Sequence, residues 1–234
     1  MSTQTYSPTS EKQTGFIPAT RQQQSFLAAV EKRCLLWLAE RIPRWINSDH
    51  LTLLGFAAQC MAGACYAFAR WNRFTLLLGI VFLALNWLGD SLDGTLARVR
   101  CCQRPRYGFY VDHIVDTFAA FFLMGGLALS GYVHPAIALG MLIAFLMLSI
   151  EAYLGAYTLG RFQLSYWRFG PTEIRLLLAV GNLALLRWPA ARVLGTELTP
   201  FDVGGIIGIV GMSLMLIVSA VRHTRTLYRE EKIS

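Results

Sequence analysis

Charge is what this sequence has least of. Asp, Glu, Lys and Arg make up 15% of its 234 residues, against 55% apolar, which excludes an ordinary soluble domain and points to one integral membrane domain. Cysteine supplies no framework either. Cys34, Cys60, Cys65, Cys101 and Cys102 form no C-x-x-C pair, and with Cys101 and Cys102 expected in a loop facing a reducing cytoplasm, neither structural zinc nor disulfides are expected. A basic end running straight into an apolar core is missing, so no signal peptide is expected. No repeat of fixed period is present. The basic excess, +7 overall, is scattered around apolar stretches without a recognisable nucleic-acid module, which argues against nucleic acid as a partner.

What the chain does have is long apolar runs. Residues 1–24 are rich in Ser, Thr and Gln and read as a disordered tail. Residues 25–48 mix Phe26, Leu27, Val30, Leu35, Trp37 and Trp45 with Lys32, Arg33, Arg41 and Arg44, the make-up of an amphipathic helix lying in the membrane interface. Ser48 or Asp49 is the expected cap of the helix that follows. Six stretches then run over residues 51–69, 75–97, 109–132, 135–157, 173–192 and 203–221, each near the ~20 residues needed to cross a bilayer. The fifth is the weakest, interrupted by Arg175, Asn182 and Arg187. The expectation is an all-α membrane protein: an interfacial helix, a six-span domain over 49–225, and a tail over 226–234. Seventeen Lys and Arg fall on one side of that layout and four on the other. This places both termini and the 98–106 loop in the cytoplasm, with the protein in a bacterial inner membrane among anionic lipids.

Into this apolar background falls one acidic stretch, NWLGDSLDGTLARVRCCQRPRYGFYVDHIVDT, from Asn86 to Thr117. It carries Asp90, Asp93, Asp112 and Asp116 inside two expected spans. Each Asp costs roughly 2.5–3.5 kcal/mol at a helix centre, so such a set calls for a function. Asp90 and Asp93 are three apart, and Asp112 and Asp116 are four apart, so each pair shares a helix face. Gly94, Ala97 and Arg98 continue the first face, and Gly108 extends the second. Asp90 and Asp116 each lie about 12 Å below the loop end at 1.5 Å per residue, so the pairs are matched in depth. Four carboxylates in one place would repel one another and bind protons. Hard divalent cations, Mg²⁺ or Mn²⁺, suit such oxygen-rich sets. Two of them about 3.5–4 Å apart would predict chemistry on a phosphate ester.

DSLDGTLAR followed by GFYVDHIVD also resembles the CDP-alcohol phosphotransferase signature, D-x-x-D-G-x-x-A-R, a loop, then G-x-x-x-D-x-x-x-D. Asp90, Asp93, Gly94, Ala97, Arg98, Gly108, Asp112 and Asp116 all match. The interval from Arg98 to Gly108 is longer than the family's usual one, and the extra length falls in the loop, where insertions are tolerated. The resemblance implies a membrane enzyme of phospholipid synthesis, commonly a homodimer. It would move a substituted phosphate from a CDP-linked donor to an alcohol and release CMP. By the same resemblance all four Asp surround two Mg²⁺ or Mn²⁺ ions, with Asp90, Asp93 and Asp112 mainly metal ligands. Asp116 would be the general base, and Arg98 would neutralise charge on the diphosphate. Asp93, Gly94, Ala97, Arg98 and Gly108 would receive the CDP moiety.

Donor and acceptor stay open. A compact six-span chain favours CDP-diacylglycerol with a small polar alcohol; the Asp112–His113 pair looks like the branch in which CDP-choline or CDP-ethanolamine meets diacylglycerol. His113, Glu151, Tyr153, Arg161, Glu173 and Arg175 form a polar set for an acceptor pocket. For Glu151, Glu173 and the arginines an interhelical ion pair weighs equally, and for His113 plain polar packing weighs somewhat more. The glycines at 125–126 and at 204, 205, 208 and 211 read as close helix packing. Two rival classes are an intramembrane prenyltransferase and a cation transporter. The first leaves Gly94, Ala97 and Arg98 unexplained, and the second calls for polar positions through the whole membrane.

Overall fold

The computed structural model describes residues 28–159, 171–187 and 198–231, and among these it is all helix and turn. The elements are α1 Ala28–Ala39, α2 Ser48–Ala69, α3 Thr75–Val99, α4 Pro105–Leu129, α5 Pro135–Leu159, α6 Pro171–Arg187 and α7 Pro200–Glu230. Five of them, α2 to α5 and α7, are long and apolar enough to cross a membrane. With 17 described residues, α6 is shorter, and its expected continuation to residue 192 lies outside the described residues. The chain is an all-α integral membrane protein. The expected tail over 1–24 also lies outside the described residues.

Local chemistry sets the helix ends. Asn47, rather than Ser48 or Asp49, caps α2: its side chain accepts from the His50 backbone N–H, and His50 Nδ1 accepts from the Asn47 N–H. The cap falls one residue early because His50 closes this reciprocal box. At the end of α3, Cys101 N–H donates to the Arg98 carbonyl and Cys102 N–H to the Ala97 carbonyl. Cys101 sits at φ 53°, so α3 closes in a Schellman motif whose left-handed position holds a cysteine where glycine is usual. Pro105 opens α4, as proline suits a first helical turn. Thr199 caps α7 in a box with Asp202, and α7 stays helical to Glu230, past the expected edge of the last span and into the expected tail.

The bundle alternates up and down. Ser48 Oγ, at the start of α2, donates to the Asp93 carbonyl near the end of α3 at 2.9 Å. At the opposite end, Asp202 of α7 accepts from the His134 N–H at 2.7 Å, and Thr199 Oγ1 donates to the Tyr132 carbonyl at 2.8 Å. α2 packs on α3 and α4, α5 on α4 and α7, and α6 and α1 on α3. Small residues set the tightest crossings. A Cβ on Gly63 or Gly126 would overlap the other helix's backbone at the α2–α4 crossing. A Cβ on Gly89 would fall 2.5 Å from Gly55 N, at the α2–α3 crossing beside Asp90. Of the glycines expected to pack, Gly126 and Gly205 do so closely, whereas Gly125, Gly204 and Gly211 face open space.

Leu76, Leu83, Tyr66, Leu123, Leu127 and Leu185 anchor the larger core. A second cluster, Leu35, Ala39, Leu51, Leu92 and Leu96, seats α1 on α2 and α3. Outward faces remain apolar, with Leu53, Phe121, Leu154 and Ile207 all largely exposed, as lipid contact requires. Trp37 and Trp45 are exposed at one end and Trp71 at the other, which matches aromatic belts at two membrane interfaces.

Candidate metal centre

Helices α3 and α4 are joined by a loop of five residues, 100–104, so their carboxylate faces lie side by side. Asp90, Asp112 and Asp116 converge there, with carboxylate oxygens within 4.8 Å of one another. Asp90 and Asp112 are half-buried and Asp116 is exposed, so the cluster has a walled side and an open side. Asp93 stands apart from this trio but lines the same small cavity, with Thr52, Asn86 and the apolar Phe56, Val115 and Ala119. Thr52 Oγ1 donates to Asp93 Oδ2 at 2.6 Å, and the Gly94 N–H donates to Asp93 Oδ1 at 2.5 Å. The Thr52 bond has the short length of a hydroxyl donating to a carboxylate.

Asp90 has its own cation. Arg175, near the start of α6, donates from Nη2 to Asp90 Oδ2 at 2.7 Å and from Nε to Asn86 Oδ1 at 2.7 Å. Asn86 is buried and donates in turn to the Gly55 carbonyl of α2 at 2.9 Å. One chain of polar groups thus joins α6, α3 and α2 behind the carboxylates. Arg175, expected in an acceptor pocket, sits instead on a carboxylate of the cluster.

The other expected pocket residues separate. His113 Nδ1 donates to the Phe109 carbonyl at 2.5 Å and lies 3.8 Å from Asp112 Oδ2. Its ring stacks on Phe109 at 4.2 Å and meets Tyr153 of α5 edge-on at 5.0 Å. His113 and Tyr153 therefore meet on the α4–α5 side of the cluster. Glu151 turns to α7 and lies 2.7 Å from His223. Arg161 lies outside the described residues, as does the side chain of Glu173. Arg98, at the exposed end of α3, donates to Thr95 Oγ1 at 3.0 Å. A Cβ on Gly94 would meet only Arg98 Nη1, at 3.5 Å, and one on Gly108 would meet nothing within 4 Å. The α3 and α4 backbones are open to a ligand at both glycines.

The loop end is tied down. Arg100 donates to the Ile42 and Pro43 carbonyls at 2.9 and 3.0 Å, and also to that of Ile46. Arg104 pairs with Asp49. Thr52 and the tie from Arg100 were not singled out in the sequence, and Ser48 was expected only as a helix cap. NSDHLT could have pointed to Ser48 and Thr52, since its hydroxyls recur one turn apart on one face of a helix start.

Three hard oxygen donors from two helices, with an open side at Asp116, fit a divalent cation such as Mg²⁺ or Mn²⁺. A purely structural cluster would leave like charges crowded together.

No protein-family model matches the chain. It is 32% identical over 113 residues to archaetidylinositol phosphate synthase of Methanothermobacter thermautotrophicus. The match covers 48% of this chain and 53% of the relative, so the chain spans about half the length of the curated relative it matches.

Proposed function

We propose that this chain works as a CDP-alcohol phosphotransferase, the family that its aspartate signature resembles and that its archaetidylinositol phosphate synthase relative supports. It transfers a phosphatidyl group from CDP-diacylglycerol to a small polar alcohol and releases CMP. The relative's named product is an inositol phosphate lipid, which favours a polyol or its phosphate as acceptor. The observation that carries this reading is the convergence of Asp90, Asp112 and Asp116 within 4.8 Å at the α3–α4 loop end of an apolar bundle.

Asp90, Asp112 and Asp116 would hold Mg²⁺ or Mn²⁺, with Asp93 at the same cavity. Such ions, when bound, supply Lewis acidity to the donor's diphosphate. The rest falls to side chains. Arg98 neutralises charge on the diphosphate oxygens. Gly94, Ala97 and Gly108 let the nucleotide come close to the α3 and α4 backbones. Asp116, the exposed member of the trio, takes the proton from the acceptor hydroxyl. That oxygen bonds to the lipid-bearing phosphorus as the bond to CMP breaks. Arg175 and Asn86 hold Asp90 in place from behind. His113 and Tyr153 border the side where an acceptor would enter. The site lies at the cytoplasmic end of the spans of a bacterial inner-membrane homodimer. There a lipid donor and a water-soluble acceptor can both reach it.

The test is CMP release by purified protein in detergent with Mg²⁺ or Mn²⁺. CDP-diacylglycerol with a panel of polyols and polyol phosphates is run beside CDP-choline and CDP-ethanolamine with diacylglycerol. CMP from a CDP-diacylglycerol pair, lost in Asp116→Asn, supports the proposal. CMP only from CDP-choline or CDP-ethanolamine moves the chain to the other branch. No CMP from any pair, in folded protein that also fails to bind a CDP donor, removes the family's chemistry from this chain.

A further inference from the structure

Among the carboxylates that the mechanism does not use, half-buried Glu31 lies between the helices of the site. Glu31 of α1 accepts three hydrogen bonds on a single oxygen, Oε1: from Trp87 Nε1 at 2.9 Å, Ser91 Oγ at 3.3 Å and Thr172 Oγ1 at 3.1 Å. The donors come from two different helices. Trp87 lies one turn before Asp90 on α3, and Ser91 follows it directly. Thr172 lies one turn before Arg175 on α6. The two residues they bracket, Asp90 and Arg175, are themselves joined at 2.7 Å.

We infer that Glu31 is a positioning residue for the carboxylate site, fixing the register of α3 against α6 so that Asp90 presents its free edge to the metal. The inference rests on the proposed metal centre. Without Glu31 the hydrogen bonds that tie α3 to α6 near the site reduce, among the described residues, to the Arg175 fork, because Asn182, the next α6 group in the seam, bonds far away at the Leu76 carbonyl. A single fork can pivot; a fork with a second tie a turn away cannot. Trp87 and Ser91, four apart, share a face of α3 that lies against α1, and α1 supplies their acceptor. The seat is apolar around it: Leu35 and Ala39, one and two turns further along α1, pack on Leu92 and Leu96. The amphipathic helix is thereby part of the site's frame as well as a membrane anchor.

Only an oxygen acceptor is required for this role, because all three donors are neutral and meet at one atom. Glu31→Gln can keep it and Glu31→Leu cannot. Groups that orient a metal ligand from behind are commonly worth 10–100-fold in metal affinity. The full-length protein is titrated with Mn²⁺ and free ion is read by electron paramagnetic resonance, with CMP release and melting temperature measured in parallel. Glu31→Leu is expected to weaken Mn²⁺ about tenfold or more, and Glu31→Gln to bind as wild type does. Thr172→Val, which removes only the α6 donor, is expected to weaken Mn²⁺ at an unchanged melting temperature, and it decides the matter if Glu31→Leu does not fold. Wild-type Mn²⁺ affinity in Glu31→Leu or Thr172→Val overturns the inference. So does a Glu31→Gln as weak as Glu31→Leu, which would make charge the requirement. A wild type that binds Mn²⁺, shows this pattern and releases no CMP sustains the inference while the proposed reaction falls. A wild type that binds no Mn²⁺ overturns both.

Discussion

Arg175 and Asp90, 85 residues apart in the chain, meet at 2.7 Å, and the same guanidinium reaches Asn86 Oδ1. An arginine fork spread over a carboxylate and an amide fixes direction as well as charge, which a lysine cannot do. Arg175→Lys is expected to keep part of the activity, and Arg175→Ala to lower kcat/KM for CMP release by about tenfold or more. Equal rates in wild type and Arg175→Ala would make the pair a mere bundle tie.

Asp116 is the exposed member of the trio. If it takes the acceptor's proton, Asp116→Asn lowers kcat by about 10²–10⁴, while CDP-donor binding by calorimetry changes far less. Asp112→Asn, one turn away, is expected to lose Mn²⁺ binding as well.

Thr52 reaches Asp93 across the α2–α3 seam at 2.6 Å. Thr52→Val keeps the shape and removes the donor, and a hydrogen bond to a charged group contributes about 1.5–3 kcal/mol. The expected result is a lower melting temperature in detergent together with slower CMP release. Unchanged melting would mean that Asp93 finds another donor.

Neighbouring glycines on α4 should behave in opposite ways. A methyl group on Gly126 would run into the α2 backbone at Gly63, whereas one on Gly125 meets nothing within 4 Å. Gly126→Ala is expected to destabilise by about 1–3 kcal/mol, and Gly125→Ala to be neutral or to stabilise by up to about 1 kcal/mol. Thermal aggregation of the two variants side by side separates these outcomes.

Cys101 holds a left-handed backbone at φ 53°, where a side chain costs roughly 1–2 kcal/mol. Cys101→Gly should relieve part of that and raise the melting temperature without changing CMP release. A lower melting temperature would show that the thiol side chain contributes more than the strain costs.

Much of the site was legible because helical spacing is local information. Asp90 with Asp93, and Asp112 with Asp116, share faces by their three- and four-residue intervals, and the arginine-rich loop made α3 and α4 antiparallel neighbours. Partners across helices were not legible. That Glu151 would turn to His223, and Arg175 to Asp90, depends on how α5, α6 and α7 are rotated against their neighbours, and one sequence carries no measure of that rotation. The glycines divide in the same way. Gly125 and Gly126 read alike in the chain, and only the position of α2 makes one a contact and the other open surface. Thr52 was missed because a hydroxyl in a helix start has many local uses, and the decisive carboxylate lies 41 residues on.

The carboxylate-bearing helices are consecutive, joined by five residues, whereas the arginine that faces them comes 59 residues after Asp116. In the order of synthesis the acidic hairpin is therefore complete before its counter-charge exists. At about 5–20 residues per second the delay lasts roughly 3–12 s. Through that interval Asp90 lacks the arginine that pairs with it in the finished fold, and α6 docks onto a hairpin made without it.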